Sequence, residues 1–327
     1  MITPAPLVLA LDFGGTKLTA ATLRLGEPTW LAQRRIFTPA SADQAYELQT
    51  MLGLAWGLIE QAGQEPAACG VSFGGPVDAS RGLVRLSPHV PGWENVPLAD
   101  WLGSALNMPV AVDNDANVAA LGEFHFGAGR GCQNLLYVTV STGIGGGWIL
   151  GGQPYAGADG LAGEIGHMTV QPGGALCPCG QSGCLEAEAA GPAIARRAQA
   201  YLVDHAGPAG QRLLDLAGGD PAKITAQLVS QAAAAGDGLS QAVLAEVATQ
   251  LGRGLRNALM LMNPDRVILG GGVTKSGEPW WQIVRDTARS PAFPDISVDI
   301  VPAAFGDDAP LWGAVALAET LLADHSE

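Results

Sequence analysis

Six side chains able to bind metal or accept hydrogen bonds lie in one glycine-rich stretch of the chain, between residues 164 and 186. They are Glu164, His167, Cys177, Cys179, Cys184 and Glu186. Three thiolates and one imidazole form a complete tetrahedral ligand set for structural zinc, and the two carboxylates bracket that set. The stretch therefore predicts a zinc site joined directly to acidic groups that can hold a polyhydroxylated substrate.

The cysteine spacing favours a metal over a disulfide. Cys177 and Cys179 are separated by one residue, which is too close for an unstrained mutual bridge, and a Gly- and Ser-containing turn brings Cys184 back toward them. Incidental thiols in a loop are the alternative. Cys69 and Cys132 lie beside apolar segments and are expected to be inert. Five cysteines without a signal peptide indicate a reducing, cytoplasmic location.

A glycine turn after the first apolar segment has the composition of a phosphate-binding loop. Backbone N–H groups of such a turn donate to phosphate oxygens, a threonine hydroxyl adds a donor, and a carboxylate at the strand end can reach phosphate-bound magnesium. The residues of this DFGGTK turn expected to contact a nucleotide are Asp12, Gly14, Gly15, Thr16 and Lys17. The turn lacks the Walker pattern and leads into a strand. By itself it is equally typical of a structural hairpin.

Two further glycine clusters strengthen the nucleotide interpretation. The STGIGGG segment at residues 141–147 contributes Thr142, Gly143 and Gly145 at the equivalent point of the second half of the chain. Gly271 and Gly272 follow a later strand, where backbone without side chains would let an adenine or ribose lie close. Glycines after a strand are also an ordinary way to enter a helix.

Asp115 is the predicted general base for phosphoryl transfer to a hydroxyl. It follows a short strand beside Asn114, and carboxylates at the carboxyl ends of strands face the ligand crevice of open α/β sheets. A helix N-cap is the alternative role for Asp115. Glu164, His167 and Glu186 would then complete a sugar-binding set, because carboxylates accept hydrogen bonds from adjacent hydroxyls and a zinc-bound imidazole offers its other nitrogen.

Strand and helix signals alternate along the chain, which predicts an α/β protein. Residues 7–37 read as a hairpin meander, and Ser41 with Gln44 forms a capping-box signal for a helix that ends at Gly63. From residue 134 a strand, a glycine turn and a strand repeat the plan of residues 7–25, which indicates a duplicated half. Helices are expected over residues 187–204, 222–235 and 239–262, and a terminal one over 311–323.

Size and charge exclude several classes of function. The chain has 327 residues, of which 48% are hydrophobic, and a formal net charge of −14 with only 17 Lys and Arg. This balance disfavours nucleic acid as a partner, because nucleic-acid affinity comes mostly from basic groups. Its apolar runs are far shorter than the roughly 20 residues that span a bilayer, so no membrane segment is expected.

Four segments of the chain carry a family resemblance: DFGGTK, VDNDANVAALGE, STGIGGG and GEIGH…CPCGQSGCLE. Together they resemble the ROK family of sugar kinases, and the resemblance covers nearly the whole chain. The resemblance implies a two-domain, actin-like (ribonuclease H-like) ATPase fold with a cleft between the domains. It places a smaller domain at residues 1–115 plus 311–327 and a larger domain with the zinc loop at 116–310. It also implies ATP with Mg2+ and structural Zn2+. The sugar would be contacted by Gly75, Asn114, Glu164, His167 and Glu186, and Asp115 would act as the general base.

The resemblance implies an ATP-dependent hexokinase of carbohydrate metabolism and glycolysis that acts on the 6-hydroxyl of a hexose, with glucose as the leading substrate. The chain departs from the family pattern at two places: Gly74 precedes Gly75, and His89 stands where relatives carry Asn. These departures leave undecided which hexose is the substrate. An N-acetylhexosamine kinase (N-acetylglucosamine or N-acetylmannosamine) and a fructokinase are the alternatives, and a polyphosphate donor has no basic run to support it. A sugar-responsive transcriptional regulator is disfavoured, because no helix-turn-helix segment precedes DFGGTK. The resemblance favours a homodimer or homotetramer.

Overall fold

A computed structural model describes residues 5–204, 209–289 and 298–324. Their contacts divide the chain into two compact units. Unit 1 contains residues 1–133, 147–162 and 308–327, and unit 2 contains residues 134–146 and 163–307. Residues 1–4 and 325–327 of the predicted smaller domain lie outside the described part of the chain.

The structure alternates strands and helices, and its elements are numbered here in chain order. The strands are β1 (Leu7–Phe13), β2 (Lys17–Arg24), β3 (Ala32–Phe37), β4 (Ala68–Phe73), β5 (Val77–Asp78), β6 (Leu83–Val84), β7 (Val110–Asn114), β8 (Leu135–Val140), β9 (Ile144–Leu150), β10 (Gln153–Tyr155), β11 (Arg266–Gly270) and β12 (Asp299–Pro302). The helices are α1 (Gln44–Ala62), α2 (Leu98–Leu106), α3 (Asp115–His125), α4 (Leu185–Ala189), α5 (Gly191–Asp204), α6 (Gln211–Leu216), α7 (Ala226–Ala234), α8 (Gly238–Met262), α9 (Glu278–Ala288) and α10 (Ala309–Asp324).

The sheet of unit 1 has the strand order β3-β2-β1-β4-β7. The predicted meander β1-β2-β3 is confirmed as antiparallel, whereas β1, β4 and β7 run parallel. Every residue of β1 is buried, as expected for a central strand covered on both faces. Because β1, β4 and β7 are parallel, their carboxyl ends meet at one edge of this sheet.

A second sheet repeats this plan with the order β10-β9-β8-β11-β12, in which β8, β11 and β12 are parallel. The β8–turn–β9 segment occupies the place that β1–turn–β2 has in the first sheet, which confirms the predicted repeat. Strand β9 begins in unit 2 and continues into unit 1. The carboxyl ends of β8 and β11 therefore share an edge in unit 2.

Two helix predictions need correction. The cap of α1 is Asp43, not Ser41, because the Asp43 side chain accepts a hydrogen bond from the Tyr46 N–H at 2.8 Å. The predicted end at Gly63 is confirmed, with the left-handed backbone (φ 62°) that glycine adopts without a steric cost. The helix expected over residues 187–204 is broken at Ala190, whose backbone is extended (ψ 169°), and the Gly191 N–H that follows donates to the Ser141 carbonyl at 2.7 Å.

Helices α3 and α10 pack against each other through glycines, and residues 116–133, which the sequence predicts in the larger domain, are grouped with unit 1. A Cβ added to Gly313 would lie 1.7 Å from the Val118 carbonyl oxygen, and one added to Gly122 would lie 2.6 Å from the Gly313 nitrogen. The two backbones therefore approach more closely than any side chain would permit. In the part of the chain that the structure describes, no helix has the length and apolarity to cross a bilayer.

We predict that Gly313→Ala lowers the free energy of unfolding by about 3 kcal/mol, because the methyl group meets backbone that cannot move aside without separating the helices. The matched control is Gly53→Ala on α1, where a Cβ meets nothing within 4 Å. That variant should gain about 0.5–1 kcal/mol from helix propensity. Urea unfolding of both variants checks the prediction, and a neutral Gly313→Ala would contradict the close packing.

Candidate active site

The sheet edge of unit 1 gathers every unit 1 residue that the sequence predicts to act on substrates. The register pairs Phe13 of β1 with Phe73 of β4, and Phe73 with Asn114 of β7. The DFGGTK turn, the Gly75 loop and the Asn114–Asp115 pair consequently leave neighbouring strands at the same level. This is the edge at which open α/β sheets bind ligands.

The first glycine turn is a tight hairpin between β1 and β2. The Gly14 N–H donates to the Lys17 carbonyl at 3.1 Å, and the Thr38 N–H donates to the Thr16 carbonyl at 3.0 Å. Gly15 lies at the tip, directly against the ring of His89 from another loop. The turn thus has the compact backbone expected of a phosphate-binding loop.

Asp12 is a buried carboxylate at the end of β1, with only 5% of its surface exposed. Desolvation raises the pKa of Asp12 from 3.8 to about 6, against the lowering effects of the hydrogen bond from Ser72 and of the cations Lys17 and Arg35. The Ser72 hydroxyl, on β4, donates to Asp12 Oδ1 at 2.9 Å. Ser72 could not be predicted from the sequence, because its contact with Asp12 depends on the β1–β4 register. Asp12 is ionised at neutral pH at an energetic cost that a bound cation would offset.

Asn114 and Asp115 form the junction between β7 and α3. Asn114 caps the helix by accepting from the Ala116 N–H at 3.0 Å, and its Nδ2 donates to the Gly75 carbonyl at 3.0 Å. The cap position is therefore held by Asn114, while Asp115 occupies the first turn and accepts from the Ala116 N–H at 2.8 Å. The structure places Asn114, Gly75 and Asp115 together, at the positive end of a helix dipole that favours an ionised carboxylate.

Asp113 stabilises the β7–α3 junction through two hydrogen bonds. Its Oδ1 accepts from the Asn114 N–H at 2.6 Å and from the Asn117 side-chain amide at 3.2 Å. Burial raises the pKa of the Asp113 carboxyl, partly countered by these two hydrogen bonds. The structural role expected for Asp113 agrees with this arrangement.

In unit 2, the second glycine turn lies against a carboxylate from the zinc loop. Glu186 Oε2 accepts from the Ile144 N–H at 2.9 Å, and a Cβ on Gly143 would approach that oxygen to 2.6 Å. A Cβ on Gly166 would lie 2.0 Å from the Ile144 carbonyl oxygen. Glycine at these two positions therefore lets the zinc loop pack tightly onto the turn that contains Thr142 and Gly145.

The third glycine cluster borders a pocket of about 240 Å³ in unit 2. Gly271 has φ 87°, and a Cβ there would lie 2.4 Å from the Val140 carbonyl oxygen at the end of β8. Gly272, next along the chain, begins a short 3-10 turn, and a Cβ there would meet nothing within 4 Å. The pocket is lined by Leu269, Gly270, Gly271, Thr274, Lys275, Trp281, Pro302, Ala303, Gly306 and Asp307.

The walls of this pocket are suited to a flat heterocycle. Apolar surface comes from Trp281, whose indole N–H donates to the Thr274 carbonyl at 2.9 Å, and from Pro302. Lys275 and Asp307 form an ion pair at 3.2 Å and supply polar groups. The glycines of this pocket were predicted from the sequence, whereas Trp281 on α9 and Asp307 were not, because only the folded chain brings these distant residues to it.

The predicted zinc ligands converge. One ligand atom from each of His167, Cys177, Cys179 and Cys184 lies within 4.8 Å of every other. His167 Nδ1 is 3.6 Å from Cys177 Sγ, and Cys179 Sγ is 3.6 Å from Cys184 Sγ. Tetrahedral zinc with Zn–S bonds of about 2.3 Å requires ligand separations of about 3.8 Å, so the donor set fits zinc in type, number and spacing.

The second nitrogen of His167 faces a carboxylate. Its Nε2 lies 3.8 Å from Glu164 Oε2, and both side chains are partly exposed. With Nδ1 directed at the thiols, Nε2 is the nitrogen that remains for a ligand outside the cluster. The cluster can therefore fix the ring and its tautomer beside Glu164.

Several known proteins are similar to this chain in sequence and in fold. The sequence profile of the ROK family matches residues 8–321. The glucokinase of Thermotoga maritima is 35% identical over 78% of this chain and 80% of its own length, and that of Streptomyces coelicolor is 32% identical over 95% and 97%. The crystal structure of a ROK family glucokinase from Streptomyces griseus in complex with glucose and AMPPNP has a TM-score of 0.81 and 32% identity, and covers 96% of this chain and 99% of that one.

We predict that Asp12→Asn stabilises the protein in the absence of nucleotide and magnesium. The raised pKa of Asp12 means that its contribution to stability is complete below pH 3.8 and is lost as the pH rises through about 6. The neutral amide avoids that loss, so the variant should gain about 3 kcal/mol at pH 7.5. The gain should shrink toward pH 4, where Asp12 is protonated as well. Urea unfolding at several pH values measures the difference, and a gain independent of pH would contradict the burial argument.

We also predict that Cys179→Ser lowers the zinc content of the purified protein, because a serine hydroxyl does not ionise at neutral pH and is a poor zinc ligand. Cys132→Ser is the matched control, since Cys132 lies outside the cluster. Elemental analysis of both proteins gives the zinc stoichiometry. An unchanged stoichiometry in Cys179→Ser would remove Cys179 from the ligand set.

Proposed function

The chain belongs to the ROK family, and we propose that it is an ATP-dependent glucokinase that phosphorylates the 6-hydroxyl of glucose. The observation that carries the proposal is the repeated sheet plan, with a glycine turn at the end of β1 and another at the end of β8. Phosphoryl transfer needs such preorganised donors on the phosphates, together with a carboxylate that accepts the proton of the acceptor. Asp115 supplies the carboxylate.

In the proposed reaction, Asp115 accepts the proton of the sugar 6-hydroxyl as that oxygen attacks the γ-phosphorus of ATP. The new O–P bond forms while the bond between the γ-phosphorus and the β,γ-bridging oxygen breaks, and ADP leaves with that electron pair. Asn114 and Asp113 keep the Asp115 backbone in place through the junction hydrogen bonds. The first turn of α3 stabilises the ionised form of Asp115 before transfer.

The nucleotide is assigned to the three glycine clusters. Backbone N–H groups of residues 14–17 and of the Thr142–Gly145 turn are the proposed phosphate donors, and the pocket beside Gly271 and Gly272 is the proposed adenine site. We propose that Asp12 would hold the magnesium that binds with ATP, directly or through water, and that this ion would neutralise charge on the phosphates.

The sugar is assigned to the zinc-loop residues and to the Gly75–Asn114 pair. Glu164 and Glu186 are proposed to accept hydrogen bonds from sugar hydroxyls, and His167 Nε2 to donate one. Zinc would be held by His167 and the three cysteines as a structural ion, because four protein ligands leave no open coordination position. The zinc site therefore orients His167 and takes no part in the chemistry.

Glucose is preferred over N-acetylhexosamines and fructose because the similar proteins described above are glucokinases. A coupled ADP-release assay with ATP across glucose, mannose, fructose, N-acetylglucosamine and N-acetylmannosamine tests this preference. The highest kcat/KM should be found with glucose. A higher value with an N-acetylhexosamine would overturn the assigned substrate but not the assigned reaction.

The compartment and the assembly are also proposed. Use of ATP favours the cytoplasm, and the family resemblance favours a homodimer or homotetramer. Light scattering on the eluting protein during gel filtration measures the molar mass directly, and 33.4 kDa would indicate a monomer.

We predict that Asp115→Asn lowers kcat by at least about 1,000-fold while glucose binding stays within a few-fold of wild type, because the amide cannot accept the proton. Asp100→Asn on the exposed face of α2 is the matched control and should retain full activity. Steady-state kinetics and isothermal titration with glucose give the two quantities. Full activity in Asp115→Asn would remove the catalytic assignment.

A further inference from the structure

The loop of residues 86–97 is anchored to the strand ends of unit 1 by one tryptophan. Trp93 is fully buried, and its indole N–H donates to Glu47 Oε2 at 2.8 Å. Its ring packs edge-on against Phe13 at 5.7 Å and Phe73 at 4.9 Å. These two phenylalanines are the last residues of β1 and β4, so the loop is fixed relative to the turns that follow both strands.

Further bonds fix the backbone around His89. The Gln44 N–H donates to the Pro91 carbonyl at 3.0 Å. The Ser87 hydroxyl oxygen accepts from the N–H groups of His89 at 3.3 Å and of Val90 at 3.1 Å, and Val90 is buried. His89 is therefore held between two anchors while its side chain stays exposed to solvent.

The imidazole of His89 covers the tip of the first glycine turn. A Cβ on Gly15 would lie 2.5 Å from His89 Cδ2, 2.9 Å from its Cγ and 3.2 Å from its Cβ. Glycine at position 15 is thus required for this contact. Because Cδ2 is bonded to Nε2, that nitrogen lies beside the turn whose backbone N–H groups are the proposed phosphate donors.

We propose that His89 is a phosphate-binding residue, with its Nε2–H donating a hydrogen bond to a phosphate oxygen of the nucleotide held by residues 14–17. The assignment rests on the proposed function. The His89 ring is exposed and adds nothing to the core, although the buried Trp93 fixes the loop that carries it. Its fixed position on the glycine turn is therefore better explained by contact with a ligand than by packing. The chain has a net charge of −14, and a donor placed on the turn helps to offset that field where a polyanion binds.

The test compares ligands that contain phosphate with one that does not. In the His89→Ala variant, isothermal titration with AMPPNP and magnesium should show about tenfold weaker binding, whereas adenosine should bind as to wild type. In steady-state assays the KM for ATP should rise about tenfold, with the KM for glucose unchanged. Glu94→Gln, an exposed residue of the same loop, is the matched control and should alter none of these quantities.

A double-mutant cycle tests the contact with Gly15. Gly15→Ala in the wild-type background should displace the imidazole and weaken AMPPNP binding at least as much as His89→Ala does. In the presence of His89→Ala, adding Gly15→Ala should weaken AMPPNP binding by a clearly smaller factor than it does in the wild-type background, because the ring that its methyl group meets is absent. Equal effects of Gly15→Ala in both backgrounds would show that the turn and the ring act independently, which overturns the proposal.

Two other outcomes overturn the assignment of His89 alone. One is unchanged AMPPNP affinity in His89→Ala, and the other is a rise in the KM for glucose without a change for ATP, which would place the ring at the sugar. The proposed function fails separately, if the wild-type protein transfers no phosphoryl group from ATP to any hexose. Because AMPPNP binding needs no turnover, the titrations remain decisive for His89 in that case.

Discussion

The parallel pairing of the inner strands is the constraint from which the rest of the molecule follows. Backbone hydrogen bonds between β1, β4 and β7, and between β8, β11 and β12, require each trio to end at one edge. Loops that are distant in sequence therefore leave the sheet side by side. Asp12, Gly75 and Asp115 come to the same edge of the sheet in this way, although about 100 residues of chain separate the first from the last.

The glycine-rich loop of residues 164–186 in unit 2 has few apolar side chains with which to form a hydrophobic core. Other contacts must therefore stabilise its conformation. The side chains of the four predicted zinc ligands converge within the loop, and close backbone contacts at Gly143 and Gly166 hold it against the second glycine turn. Glu186 joins the two, because one carboxylate contacts the turn while its neighbour Cys184 is only two residues away. The loop, the turn and the carboxylates consequently behave as one structural unit.

Features that depend on local sequence could be predicted, and features that depend on distant contacts could not. Strand β1, the left-handed Gly63 and the repeat at β8–β9 were all predicted, because apolar patterning and glycine turns determine them locally. The sequence predicts Ser41 as the cap of α1, because serine and aspartate both cap helices well. Only the folded backbone shows that Asp43 is the cap.

The break at Ala190 depends on a hydrogen bond to Ser141, and the burial of Asp12 depends on β4. The zinc ligands were predicted together because their spacing is short, whereas the link between Glu47 and Trp93 spans 46 residues and has no sequence signature.

Unit 1 is assembled from segments that lie on both sides of unit 2 in the chain. Its last helix, α10, supplies the surface on which α3 closes through Gly122 and Gly313. A ribosome releases α10 only after the whole of unit 2 has been synthesised, so the early strands of unit 1 must wait for their final partner. Until then the face of α3 that contains Gly122 has no α10 to pack against, so the packing of unit 1 is completed only after unit 2 has been made.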